Sequence, residues 1–482
     1  MITLLAAALS GIMLYLSQGF DNAWALAWFA PVPLLWLAYG KTATWRVMAA
    51  TAIATLASVG YVLQLSYIPP LPIFIPALTF YVGLFCFAVW FARFVQRRAT
   101  PLVTLFSFPA CWTALEFLAQ LSSPNGTYGS LAYTTMSAPV LIQSASLLGM
   151  YAVTFLICLF ANTLAMALRP RRETAAAVGA GLLICAANVV FGFVRLARPQ
   201  SEVMRVAAVV DETAVADSWR SHSLADDLKV TETYAGEIGL AAREGARFVV
   251  TPEGGMASTP DVQSAVIAPL VAVSRQTGVQ IIAGFHSHAP PADFALSITP
   301  DGRIQRYDKR HLVPGLEARY TPGHVSGWLG GGREMEICKD MDFPRTIRPD
   351  AAVGARLLGV PAGDFGIDRW QHGRMAVMRS VENGFAMVRA AHDGLVFAND
   401  AQGRLIAIKK DAPTGLTMVV ADLPLGPGPT LYTRIGDLFP WLCVILSVLL
   451  GGGLAIRGRL RAHRSTADSN GFVAEAGRSG GE

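Results

Sequence analysis

Cys338 is the only cysteine between residues 197 and 435, and it sits in the segment Glu336-Ile337-Cys338-Lys339-Asp340. A lone thiol there is either an incidental buried residue or a nucleophile. Two other short passages supply what a thiol nucleophile lacks. Val250-Thr251-Pro252-Glu253 puts a carboxylate just past an apolar strand, where it could serve as a general base; alone, it could equally be an exposed loop acid. Tyr307-Asp308-Lys309-Arg310-His311 sets a lysine beyond another strand. Near Cys338 its ammonium would lower the thiol from about 8.5 and stabilise a tetrahedral oxyanion; alone, it reads as a solvated basic loop. Other constellations carry less. His286 and His288 lack a third ligand at zinc-like spacing, and the glycine triplets 330–332 and 451–453 lack the strand and lysine context of a phosphate loop. Glu116 falls inside an apolar run, where it either lines a lipid entrance or orients the domain, or makes a helix-packing hydrogen bond.

The elements that must position these residues fall between about 200 and 434. There, short β-branched runs alternate with amphipathic segments, the pattern of a layered α/β domain. Strands are expected at 205–210, 247–251, 279–285, 294–299, 303–307, 335–338, 357–360, 386–391, 394–398, 404–408 and 417–421. Helices are expected at 223–244, 261–277 and 370–382. Asp393-Gly394 and Gln402-Gly403 read as hairpin turns, since glycine accepts the positive φ of a tight turn.

The rest of the chain is of a different kind. Of 482 residues, 53% are hydrophobic and only 15% charged, which excludes a purely soluble protein and a disordered one. The formal charge of +5 is not gathered on one face, so nucleic acid is not an expected partner. Apolar runs near 2–18, 24–40, 47–66, 72–92, 101–120, 138–168, 174–196 and 436–456 approach the roughly 20 residues a membrane-crossing helix needs. The first lacks the basic n-region of a cleaved signal and further runs follow at once, so it reads as a span.

One set of connections carries Lys41, Arg46, Arg93, Arg97, Arg98, Arg169, Arg171, Arg172, Arg457, Arg459, Arg461 and Arg464. The alternate set, 19–23, 67–71 and 121–137, carries no Lys or Arg. Basic residues resist translocation, so both termini are expected in the cytoplasm and 197–435 on the far side, despite the flanking Arg195, Arg198 and Arg434. The expected domains are a seven-helix membrane region at 1–199, an extracytoplasmic α/β domain at 200–434, a last span at 435–457 and a disordered polar tail at 458–482.

In chain order, Glu253, Lys309 and Cys338 resemble the nitrilase superfamily, which places such residues at strand ends of an αββα sandwich. Held between apolar spans, this arrangement resembles the bacterial apolipoprotein N-acyltransferase family over nearly the whole chain. Trp112-Thr113-Ala114-Leu115-Glu116, Leu148-Gly149-Met150-Tyr151, Leu312-Val313-Pro314-Gly315-Leu316-Glu317 and 430–437 carry the likeness. The resemblance implies Glu253 as base, Lys309 as oxyanion-stabilising group, Cys338 as nucleophile and Glu317 as auxiliary acid. It also implies substrate contacts by Asp340 and Trp219.

It further implies an inner-membrane enzyme with a periplasmic catalytic domain and no metal or organic cofactor. Its acyl donor would be a phospholipid and its acceptor a diacylglyceryl apolipoprotein. The alternative is a membrane-tethered carbon–nitrogen hydrolase that uses water. Two departures stand near the site: Ala362-Gly363-Asp364-Phe365-Gly366 replaces the family's Asn-Asp-Ala-Trp-Phe, and Lys339 replaces an aromatic residue after the cysteine.

Overall fold

The computed structural model describes residues 1–20, 22–65, 70–170, 172–199 and 202–476, with backbone only for 458–476. Arg171 of the charge count and residues 67–69 of an uncharged connection lie outside the described residues. Two halves follow from the composition.

In the helical half, six helices among the described residues are long and apolar enough to cross a membrane: Thr44–Gln64, Leu71–Gln96, Pro101–Gln120, Met150–Ala167, Arg172–Leu196 and Leu438–Arg457. The expected first run is a shorter helix, Ile2–Gln18. The second is interrupted at Pro31, between Leu26–Phe29 and Val32–Ala38, because proline offers no N–H to the preceding turn. The expected run 138–168 is likewise not continuous. It breaks at Gly149, at φ +77, where a Cβ would lie 2.5 Å from the Tyr432 ring, and the long helix starts only at Met150. The last helix extends to Ala476, through most of the tail expected to be disordered. Extending an existing helix avoids the nucleation step, and this segment contains no proline.

The second half is a two-sheet sandwich. One sheet runs Leu416–Pro424, Val203–Asp211, Phe248–Val250, Gln280–His288, Pro291–Ile298, Ile304–Asp308. The other runs Leu405–Lys410, Leu395–Asn399, Ala386–His392, Leu357–Gly363, Arg333–Met335, Trp328–Gly330. Period-2 alternation divides each strand between two cores. Val206, Ala208 and Val210 share a core with the other sheet's Met335, Leu357 and Val388, whereas Ala207 and Val209 face Tyr234, Ile238 and Leu270 on the covering helices. Leu224–Arg243 and Ala268–Thr277 cover the first sheet. Arg369–Asn383 covers the second and shares one core with the membrane helices.

Sequence and structure differ in several elements. The expected helix 261–277 is split into Gln263–Val266 and Ala268–Thr277, with Pro269 opening the second piece. Helices Glu212–Arg220 and Pro344–Ala352 were not expected. The strand expected at 335–338 ends at Met335, and Cys338 opens a 3-10 turn instead.

Candidate active site

Strand ends bring three distant segments together. Glu253 lies three residues past Phe248–Val250, and its backbone N–H donates to Ala362 O on the other sheet at 3.3 Å. Lys309 follows Ile304–Asp308 directly, and its N–H donates to Asp293 O at 3.0 Å. Its side chain is 1% exposed, and its Nζ donates to Glu253 Oε1 at 2.5 Å and Glu317 Oε1 at 2.6 Å, with Asp293 Oδ2 at 3.4 Å. Glu253, Asp293 and Glu317 lie close enough to share a metal ion. The Lys309 ammonium already reaches all three, so the positive charge they face is the lysine's own.

Burial opposes the charge on Lys309, but the three carboxylates outweigh it and raise its pKa well above the ordinary value, so the ammonium persists. Burial also pushes Glu253 upward, yet Lys309 and a hydrogen bond from Asp293 hold it down to about 2. Asp293 is driven well above the carboxylate range, first by burial and then by the Glu253 charge. The cluster thus favours the ionised form of Glu253 and the protonated form of Asp293.

Cys338 takes φ +38 at the start of the turn Cys338–Asp342, and its Sγ donates to Gly363 O at 3.2 Å. The sequence suggested a thiol lowered by the lysine. The structure gives the opposite net direction: burial first, and then the Glu253 charge, push the thiol well above its usual range, while Lys309 and Arg389 pull it down without reversing the sign. The resting sulfur is therefore an S–H. Passing its proton to Glu253 removes the charge that raises the thiol and leaves Lys309 and Arg389 facing the sulfur. At pH 7 and without lipid, iodoacetamide is expected to alkylate Cys338 more slowly than free cysteine. The rate should rise about tenfold per pH unit through pH 9, read by mass spectrometry of the Cys338 peptide.

The remaining expected residues are placed as follows. Glu317 holds the lysine from the far side and accepts from Val313 N at 2.6 Å. Asp340 is fully buried and accepts from Tyr307 Oη at 2.7 Å and His311 N at 2.8 Å, which ties the turn Cys338–Asp342 to the lysine segment. Trp219 is 39% exposed and stacks on His286 at 4.0 Å beside Gly254, the residue after Glu253. His286 and His288 meet through their Nε2 atoms at 3.2 Å. Glu116 accepts from Ser130 Oγ, Leu131 N and Thr154 Oγ1, which realises the helix-packing alternative.

Sequence reasoning missed Asp293, and it missed Arg389 with Asp364, a buried pair at 2.5 Å and 3.0 Å whose charges act on Cys338. Asp293 left one usable signal, an acid opening the apolar run Phe294-Ala295-Leu296.

The fold and site define a cysteine-centred α/β domain joined to membrane-integrated helices. Two family profiles match in tandem: "Apolipoprotein N-acyltransferase N-terminal domain" over residues 10–163 and "Carbon-nitrogen hydrolase" over residues 179–424. The second covers slightly more than half of the chain, which belongs to the carbon–nitrogen hydrolase family.

The chain is 26% identical over 512 residues to a protein named apolipoprotein N-acyltransferase from Geobacter metallireducens, covering 95% of this chain and 96% of that one. A protein of the same name from Rhodopseudomonas palustris is 24% identical, with 93% and 94% covered. Among solved structures, an amidase from Nesterenkonia sp. is 22% identical with a TM-score of 0.38, covering 46% of this chain and 90% of the amidase.

Proposed function

We propose that this protein transfers an acyl chain from a membrane phospholipid, through a thioester on Cys338, to the α-amino group of the diacylglyceryl-cysteine that begins an apolipoprotein. In the first half-reaction the Cys338 sulfur attacks the ester carbonyl and its proton passes to Glu253. Lys309 faces the oxyanion, the ester C–O bond breaks, and the departing alkoxide recovers the proton as lysophospholipid. In the second, the amine attacks the thioester, Glu253 accepts a proton from nitrogen, and the thiol is restored. Glu317 keeps Lys309 in place, and Trp219 lies on the substrate side. Neither step requires a metal or organic cofactor.

The observation that carries this reading is the Lys309 ammonium, held at 2.5 Å from Glu253 and acting electrostatically on the Cys338 sulfur. Six helices able to cross a membrane flank the domain that holds it, and both substrates are lipid-anchored. The two family matches in tandem and the relatives' shared name support the same reaction. The charge split of the connections supports cytoplasmic termini and a catalytic domain (200–434) on the far side, and the bacterial relatives support an inner-membrane location in which that side is the periplasm.

Mass spectrometry tests the proposal. After incubation with phospholipid, the intact chain should gain the mass of one acyl group, located on the Cys338 peptide. A lipopeptide with a free N-terminal amine should remove that mass and appear as its N-acyl product. Release of free fatty acid without transfer would instead identify a hydrolase.

A further inference from the structure

The turn that carries the nucleophile is gripped from two sides. Cys338 opens it at φ +38, a conformation a non-glycine residue keeps only where its surroundings enforce it. One grip is Asp340, which ties the turn to the lysine segment through His311 N and Tyr307 Oη. The other comes from the membrane half, 215 residues away in sequence: Thr127 N and Thr127 Oγ1 both donate to Asp342 O, at 3.0 Å and 2.7 Å. Beside it, Lys339 Nζ donates to Asn125 Oδ1 at 3.1 Å. Gly126, at φ +53, lets the backbones approach, since a Cβ there would lie 2.5 Å from the same Asp342 carbonyl.

The Thr127 hydroxyl that donates to Asp342 O also lies 2.6 Å from Tyr133 Oη, which itself reaches Met150 Sδ at 3.3 Å. Tyr133 Oη in turn accepts from Arg379 Nη2 at 2.9 Å. A hydrogen-bonded series from Arg379 through Tyr133 to Thr127 therefore ends on the nucleophile turn. Glu116 fixes the loop from below by accepting from Ser130 Oγ at 2.7 Å and Leu131 N at 3.2 Å.

We propose that Thr127 is a positioning residue for Cys338, so that the membrane half sets the reach of the nucleophile as well as adjoining the lipid. The inference rests on Cys338 being the acyl-accepting nucleophile. It also gives Lys339, which departs from the family pattern, a role in the same clamp through Asn125.

The test follows the rate of acyl-enzyme formation by intact-mass spectrometry, using the full chain with phospholipid in mixed micelles. Thr127→Val keeps the shape and loses the hydroxyl. Because small misplacements of reacting groups reduce rates steeply, it should slow acylation about tenfold or more. Its half-saturating lipid concentration and thermal midpoint should stay near the parent's. Thr127→Ser should restore the rate to within about threefold of the parent. Asn125→Ala, at an exposed position, should slow acylation about threefold.

A parent-like rate for Thr127→Val overturns the inference, as does a serine variant as slow as the valine one, or a loss confined to the half-saturating concentration. Should Thr127→Val not fold, a parent-like Asn125→Ala decides against the clamp. Cys338→Ala separates the two claims: acylation of that variant would defeat the proposed function itself. An inert Cys338→Ala beside a parent-like Thr127→Val would defeat only the positioning role.

Discussion

Glu253→Gln is expected to slow acyl-enzyme formation by about 10³-fold while leaving the thermal midpoint nearly unchanged. The activity loss follows from proton accounting. The Cys338 thiol is raised well above its usual range by burial and by the Glu253 charge, so in the proposed transfer it would reach the ester carbon as an S–H and would have to lose its proton during attack. Glutamine cannot accept that proton, and removal of a positioned general base typically costs about 10²- to 10⁴-fold.

Stability follows from Asp293. That carboxyl is pushed upward by burial and by the Glu253 charge, and it lies 3.4 Å from Lys309 Nζ. With residue 253 neutral, one source of the push disappears, Asp293 ionises, and the lysine keeps two carboxylate partners. Single-turnover mass spectrometry and a thermal melt on the same preparation check both halves. An active variant, or an inactive one whose melt falls by more than a few degrees, contradicts the account. The thiol itself supplies a second sign: in Glu253→Gln its alkylation at pH 7 should be faster than in the parent, because the charge that raises it is gone.

Why some of this was legible in the sequence and some was not is a matter of range. Glu253, Lys309 and Cys338 each lie within three residues of the end of a short strand, and strand alternation is local, so their placement at strand ends could be read from neighbouring residues. Glu317 lies eight residues from the lysine, and its carboxylate folds back onto it within one loop. What escaped was set by partners far along the chain. Asp293 lies third in the strand Pro291–Ile298, just past two prolines, and looks like a turn residue until the lysine that follows the adjacent strand is laid beside it.

Thr127 lies in a connection whose only visible property was the absence of basic residues, yet it binds a carbonyl 215 positions away. The direction of the Cys338 shift was misjudged for the same reason: the charges nearby could be listed, but burial is a property of the assembled sandwich. The missed helix Glu212–Arg220 is different, because its signal was present. Asp211 caps it by accepting from Ala214 N at 2.9 Å, a short N-terminal pattern passed over because the helix has only nine residues.

Lys309→Met removes the cation of the buried cluster and, in the proposed transfer, the group that would face the oxyanion, so activity and stability should fall together. Oxyanion stabilisation lost with one donor accounts for about 10²- to 10³-fold in rate. The stability change has a pH signature that separates electrostatics from packing. In the parent, Glu253 is held at about 2 despite its burial, below the roughly 4.3 of an unpaired glutamate. Its pairing therefore stabilises the fold above about pH 4.3 and is lost as the pH falls toward 2.

Without the ammonium, burial alone governs Glu253, Asp293 and Glu317, whose carboxylate oxygens lie within 4.8 Å of one another, and their folded pKa values rise above the unfolded ones. The folded variant then binds more protons than the unfolded chain, so its stability falls as pH rises. Removing one partner from a buried ion pair costs about 3 to 5 kcal/mol, the deficit expected at pH 7. At pH 5 the carboxylates take up protons and the gap to the parent should narrow. A deficit of equal size at pH 5 and pH 7 would assign the loss to the missing methylene packing of the lysine stem and would remove the ammonium from the centre of the site.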